Sequence, residues 1–144
     1  MTNSMGRKFD IKTVNQIGYA IKDIDKTVEK WTNLYGIGPW TYSENSGVDA
    51  KGHTWKAKMA FAYLGPIQIE LIQCMEGRIL QSRFLDNWGE GVHHLGFYVD
   101  DVESELANLV AQGVKIFVHE PGRFAYFAAN GQDGPIFELI KRPA

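Results

Sequence analysis

The chain contains the same short sequence twice, and each copy places polar residues inside an apolar strand pattern. Residues 14–24 (VNQIGYAIKDI) are echoed by residues 92–102 (VHHLGFYVDDV). Residues 65–72 (GPIQIELI) are likewise echoed by residues 134–140 (GPIFELI). The repeats select four polar residues out of 144: Gln16, Glu70, His94 and Glu138. A chain duplicated in this way is expected to fold as two similar modules, with these residues at equivalent places.

Each copy has the pattern of one strand, one helix and three further strands. Asp23 and Asp101 stand where helix N-caps are expected, and the helical spacing that follows them ends at Gly36 and Gly113. Apolar and β-branched residues predict strands over 14–21, 40–44, 53–64, 67–74, 92–99, 114–118, 124–128 and 136–141. The predicted fold class is therefore α+β, built from two tandem βαβββ modules.

The modules are predicted to share one domain, residues 1–144. Module one spans about 13–75, a short helical connector 76–90, and module two 91–142. Each module alone is too short for a robust core, so the two are not expected to be independent. Residues 1–12 are polar and lack the apolar segment of a signal peptide, which makes them a lead-in to the fold.

Composition excludes several classes of function. The net charge is −2 and no basic stripe is present, so nucleic acid is not an expected partner. No apolar run approaches the roughly 20 residues that a membrane span needs. Cys74 is the single cysteine, so no internal disulfide can form, and a reducing cytoplasm is the expected location.

Strand parity places the four polar residues on related faces. Side chains alternate along a strand, so Gln16 shares a face with Gly18, and His94 shares one with Gly96. Glycine at these positions leaves space beside the polar group. Glu70 and Glu138 interrupt apolar strands, where an ionised carboxylate is almost never buried without a partner. One divalent cation bound by all four residues would satisfy both carboxylates.

Simpler interpretations exist for each residue taken alone. A single strand histidine is most often hydrogen-bonded in the core, and a strand glutamate can face solvent. The equivalent positions in two repeats favour the joint metal site. His93 has the opposite parity to His94 and is interpreted either as a neighbour of the metal ligands or as structural. His53 and His119 lie outside the repeats and are expected at the surface or in a pocket. Four aromatic residues are candidates for a pocket wall or for core packing: Trp40, Trp55, Phe61 and Tyr126.

Segments 15–23, 89–97 and 137–139 resemble the vicinal oxygen chelate superfamily, which includes glyoxalase I, methylmalonyl-CoA epimerase, extradiol dioxygenases and small antibiotic-resistance proteins. The resemblance runs from about residue 13 to residue 141. It implies curled mixed sheets around a metal, with four ligands: Gln16, Glu70, His94 and Glu138. This set is similar to the zinc site of eukaryotic glyoxalase I, although histidine is commoner at the first position. The implied cofactor is one divalent ion (zinc, nickel, cobalt or manganese), and a homodimer is expected.

The resemblance further implies a metal-dependent lyase or isomerase that acts through an enolate or enediolate. Glu138 is the expected base, with Glu70 as its catalytic partner. The expected substrate is a small oxo-acid thioester such as an acyl-CoA, or a glutathione hemithioacetal. Residues 84–94 are more similar to the epimerase branch. Two alternatives remain at this point: a non-catalytic ligand- or drug-binding protein, and an Fe(II) extradiol dioxygenase, which normally needs two histidines and one carboxylate.

Overall fold

The computed structural model describes residues 13–144, so the predicted lead-in, residues 1–12, lies outside the described part of the chain. The described residues form two compact units. The first unit spans residues 16–93, and the second comprises residues 94–144 together with residues 13–15. The predicted grouping of both modules into one domain stays a prediction.

The first unit contains a four-stranded mixed sheet. Its strands lie in the order β2-β3-β4-β1, with β1 parallel to β4 and the other neighbours antiparallel. A helix follows β1, because two parallel neighbours such as β1 and β4 must be joined by a long crossover connection. The elements are β1 (Gln16–Ala20), α1 (Ile24–Tyr35), β2 (Thr41–Val48), β3 (Thr54–Leu64), β4 (Ile67–Glu76) and α2 (Leu80–Trp88).

The second unit repeats this arrangement. Its strands lie in the order β5-β8-β7-β6, and β5 is again parallel to β8 while the other neighbours are antiparallel. The prediction of an α+β fold with two βαβββ modules and mixed sheets is thereby confirmed. The elements are β5 (Gly91–Val99), of which residues 94–99 belong to this unit, α3 (Val102–Ala111), β6 (Lys115–Glu120), β7 (Phe124–Ala128) and β8 (Ile136–Lys141).

The same type of cap starts the helix of each module. An Asp23 carboxylate oxygen accepts a hydrogen bond from the Lys26 N–H (3.2 Å), and Asp101 accepts one from the Ser104 N–H (3.0 Å). Each contact satisfies a backbone donor that has no partner within its helix. Gly36 ends α1 in a left-handed conformation (φ 70°) that glycine adopts without strain.

One face of each sheet is apolar and packs against its helix. In the first unit Ile21 and Leu71 lie in a buried cluster against α1, joined by the partly buried Tyr19. In the second unit Leu139 and Leu109 form the corresponding cluster with Phe127. Tyr19, Ile21, Leu71 and Leu139 have the opposite strand parity to the four polar residues, which therefore project from the other face of each sheet. No helix within residues 13–144 is both long and apolar enough to cross a membrane.

Candidate metal centre

In the second unit, His94 and Glu138 form a buried pair on adjacent strands. β5 and β8 are parallel, and Gly96 of β5 is in register with Glu138 of β8. The His94 Nε2 atom lies 3.2 Å from a carboxylate oxygen of Glu138. Only 1% of His94 and 6% of Glu138 is exposed to solvent. Imidazole and carboxylate donor atoms are thus held side by side, away from bulk water.

An aromatic residue covers the other side of Glu138. Tyr126 of β7 is in register with Glu138, so both side chains project from the same face. Its ring meets the His94 ring edge to face, with 4.9 Å between the ring centres. Glu138 therefore lies between a glycine, Gly96, on one neighbouring strand and Tyr126 on the other.

Glu70 has the same surroundings in the first unit. It is in register with Gly18 of β1 on one side and with Phe61 of β3 on the other. Glu70 is 9% exposed and Gln16, two residues before Gly18, is 5% exposed. The glycine, glutamate and aromatic residue thus occur in the same order in both units, with phenylalanine in one copy where tyrosine occurs in the other.

Gln16 is held by a residue that the sequence analysis did not single out. Its side-chain Nε2 donates a hydrogen bond to the Oε1 atom of Gln68 (2.8 Å). Gln68 in turn donates from its own Nε2 to the Tyr63 hydroxyl (3.3 Å). The sequence did carry one signal for Gln68, because it shares the strand parity of Glu70 and lies between two isoleucines.

The donor atoms fit a divalent cation. Two ligands bound to one ion at the 2.0–2.2 Å typical of zinc sites lie roughly 3–3.5 Å apart, depending on the angle between them. The 3.2 Å separation of the His94 and Glu138 atoms agrees with that range. Imidazole nitrogen, carboxylate oxygen and amide oxygen together suit ions such as zinc, nickel, cobalt or manganese. The four predicted ligands are thus all buried, with Gln16 and Glu70 in the first unit and His94 and Glu138 in the second.

The remaining histidines have other contacts. His93 is buried with the opposite parity to His94, and its ring meets Phe84 edge to face at 5.7 Å. The exposed His53 lies 3.5 Å from an Asp49 carboxylate oxygen. The Nε2 atom of His119 lies 2.9 Å from a carboxylate oxygen of Glu103.

The four aromatic candidates separate into two groups. Phe61 and Tyr126 flank the two glutamates, as described above. Trp40 instead packs against the apolar cluster of the first unit, and its indole N–H donates to the Ile37 carbonyl oxygen (3.0 Å). Trp55 lies over Gly47, where a Cβ atom would come within 2.8 Å of the indole ring. Trp40 and Trp55 therefore have packing roles.

Comparison with known proteins agrees with this architecture. The model of the Glyoxalase/Bleomycin resistance protein/Dioxygenase superfamily matches residues 15–131. A curated relative, the uncharacterised protein YqjC of Bacillus subtilis, is 25% identical over 119 residues, which is 83% of this chain and 77% of the relative. YqjC therefore supports the relationship without naming an activity.

Solved structures share the fold at low identity. A Streptomyces coelicolor methylmalonyl-CoA epimerase variant in complex with 2-nitronate-propionyl-CoA superposes with a TM-score of 0.72 at 23% identity, covering 94% of this chain and 100% of that one. The methylmalonyl-CoA epimerase of Mycobacterium tuberculosis gives a TM-score of 0.71 at 18% identity, covering 93% and 90% of the two chains. With the family match over most of its length, the chain belongs to the Glyoxalase/Bleomycin resistance protein/Dioxygenase superfamily.

Proposed function

We propose that the protein is a metal-dependent isomerase or lyase that moves a proton at the carbon next to a substrate carbonyl. The observation that carries the proposal is the repeated, buried placement of Glu70 and Glu138, each between a glycine and an aromatic residue. Buried carboxylates held at fixed places are suited to proton transfer, because a general base must lie within hydrogen-bond reach of the proton that it takes.

Four side chains would hold the ion: Gln16, Glu70, His94 and Glu138. A bound divalent cation would supply Lewis-acid stabilisation of the negative charge that develops on the substrate carbonyl oxygen. The protein's own contribution is to fix the donors and to limit water at the reacting carbon.

Glu138 is the proposed base. Its carboxylate takes the α-proton, and the electron pair of the broken C–H bond moves into the carbonyl group to give the enolate. In an epimerase the carboxyl group of Glu70 would be the acid that delivers a proton to the opposite face of the same carbon. In a lyase of the glyoxalase type Glu138 would return its proton to the adjacent carbon. A glutamate can act as both ligand and base only if its bond to the ion loosens when substrate binds.

We favour an acyl-CoA thioester over a glutathione hemithioacetal as substrate. The fold is shared with epimerases whose structures contain acyl-CoA compounds, and residues 84–94 are similar to that branch. A homodimer is also proposed. An iron dioxygenase fits less well, because an amide, Gln16, occupies the place of the second histidine and His93 has the wrong parity.

Solvent-deuterium exchange tests the proposal. The protein is loaded with one divalent metal and incubated in D₂O with methylmalonyl-CoA or with the hemithioacetal of glutathione, and loss of the α-proton signal is followed by NMR. We expect exchange with one substrate and its loss in the Glu138→Gln variant. Glu29→Gln is the matched control, because Glu29 is exposed on α1 and undergoes the same carboxylate-to-amide change.

Two outcomes would contradict the proposal. Undiminished exchange in Glu138→Gln would remove Glu138 as the base. Protein that binds ligand tightly but never takes up a divalent ion, even when metal is supplied, would instead be a binding module of the drug-resistance type.

A further inference from the structure

Gln16, Gln68 and Tyr63 form a chain of hydrogen bonds, here called the amide relay. Gln16 Nε2 donates to Gln68 Oε1 over 2.8 Å, and Gln68 Nε2 donates to the Tyr63 hydroxyl over 3.3 Å. Each amide is thus fixed in orientation by the next member of the chain. The relay runs from a buried residue, through a half-buried one, to an exposed tyrosine.

Strand register holds the relay together. Gln16 of β1 is paired with Gln68 of β4, and Gln68 is paired with Tyr63 of β3. Side chains of paired residues project from the same face of a sheet and lie close enough for direct contact. All three residues belong to the first unit, so the relay is formed within one compact body.

The orientation of Gln16 decides whether its amide can bind a metal. A glutamine side chain ends in an oxygen that can bind a cation and an NH₂ group that can only donate hydrogen bonds. Gln68 accepts from the NH₂ group and so fixes which end of the Gln16 amide faces Gln68, and the oxygen is the opposite end, the one that a cation would bind. Without that acceptor, the amide could rotate and present N–H groups to the ion.

The second unit has no counterpart of the relay among its described residues. His94 occupies the position in the second unit that Gln16 occupies in the first. Gln16 is paired with Gln68, whereas His94 is paired with the apolar Ile136. An apolar neighbour is sufficient for a histidine ligand, whose ring offers a nitrogen without an oxygen–nitrogen ambiguity. A polar residue is thus paired with the proposed amide ligand, and an apolar residue with the proposed histidine ligand.

We infer that Gln68 is a positioning residue that holds the NH₂ end of the Gln16 amide, so that the oxygen is the end presented to the metal. The inference rests on the proposed function, since it assigns Gln68 a role toward the proposed ion. Residues that hydrogen-bond to metal ligands typically change metal affinity by about 10- to 100-fold when replaced. Gln68 is not proposed to touch the ion or the substrate.

Cobalt binding to the purified full chain tests the inference without measuring activity. Calorimetry gives the Co²⁺ affinity, and the visible absorption of bound Co²⁺ reports the ligand geometry. We expect Gln68→Leu to weaken binding about 10- to 100-fold and to change the spectrum. Gln68→Glu keeps an acceptor at the same place and should restore both the affinity and the spectrum. Glu29→Gln should match the original chain.

Repeating the measurement in a Gln16→His chain separates a positioning role of Gln68 from general damage to the strand. In Gln16→His the ligand no longer depends on amide orientation, so adding Gln68→Leu should change Co²⁺ affinity less than about threefold. An equal loss in both backgrounds would overturn the inference, as would an unchanged affinity in Gln68→Leu alone. Failure of the proposed function looks different, because the original chain itself would then bind no Co²⁺.

Discussion

The His94 imidazole lies 3.2 Å from the Glu138 carboxylate, and both side chains are almost completely buried. Such a pair is costly to break, because removing one partner leaves the other polar group buried without it. Replacing both partners by apolar residues removes that cost. The pair is therefore expected to serve metal binding at some expense to the stability of the metal-free protein.

The first prediction follows from this pair. In metal-free protein, His94→Leu should lower the free energy of unfolding by about 3–5 kcal/mol, while the double variant His94→Leu with Glu138→Leu should regain most of it. Urea unfolding in the presence of a chelator measures the free energy of unfolding of the single and the double variant. A double variant no more stable than His94→Leu would show that the two residues do not act as a pair.

The second prediction concerns the number of ions. If the pair in each unit supplies half of one site, the chain binds one divalent ion, and Glu70→Ala and Glu138→Ala each lose most of the affinity. Metal analysis and calorimetry give the stoichiometry and the affinity. A free-ion concentration 100 times the Kd should stabilise the protein by about 2.7 kcal/mol. If the chain bound two ions, and Glu70→Ala abolished binding of one while Glu138→Ala abolished binding of the other, each unit would have its own site.

Much of the fold could be predicted from local sequence signals. The bounds of α1 follow directly from Asp23 and Gly36, which cap it as expected. β2 was predicted only over 40–44, whereas it extends over Thr41–Val48. Its second half is polar and exposed on both faces, as in an edge strand, so no alternation marks it.

The part of the site that depends on alternation within single strands could also be predicted from the sequence. Parity within a strand indicated the faces of Gln16, Glu70, His94 and Glu138, and these residues are buried. Gln68 and the aromatic neighbours depend on which residues are paired between strands. That register follows from long-range packing, which the repeat alone does not specify.

The third prediction concerns pH. Hydrogen bonds from the Gly122 N–H and then from His119 hold the pKa of Glu103 below its ordinary value. A carboxyl group with a lowered pKa in the folded state stabilises the fold above its unfolded pKa of about 4.3, and this contribution disappears as the pH falls through the folded value. The contacts join α3 to His119 of β6 and to Gly122 in the turn between β6 and β7.

The variant Glu103→Gln tests whether the ionised Glu103 carboxylate stabilises the fold. The melting temperature of the original chain should exceed that of the variant above pH 5, and the difference should shrink as the pH falls below 4. The exposed Glu29→Gln serves as the control for loss of a surface carboxylate. A difference that stays constant from pH 7 to pH 3 would contradict a role for the ionised Glu103 carboxylate.

The last prediction compares two glycines with similar backbone conformations. Gly77 (φ 68°) and Gly65 (φ 58°) both adopt left-handed conformations, which cost a residue with a side chain about 1 kcal/mol or more. A Cβ atom on Gly77 would also overlap the Thr54 carbonyl oxygen, whereas a Cβ atom on Gly65 has no neighbour within 4 Å among the described residues. Gly77→Ala should therefore lower the free energy of unfolding by at least about 1 kcal/mol more than Gly65→Ala, because the β3 and β4 ends must separate to relieve the overlap. Urea unfolding of the two variants measures the difference, and equal losses would show that the backbone conformation alone accounts for the glycine at position 77.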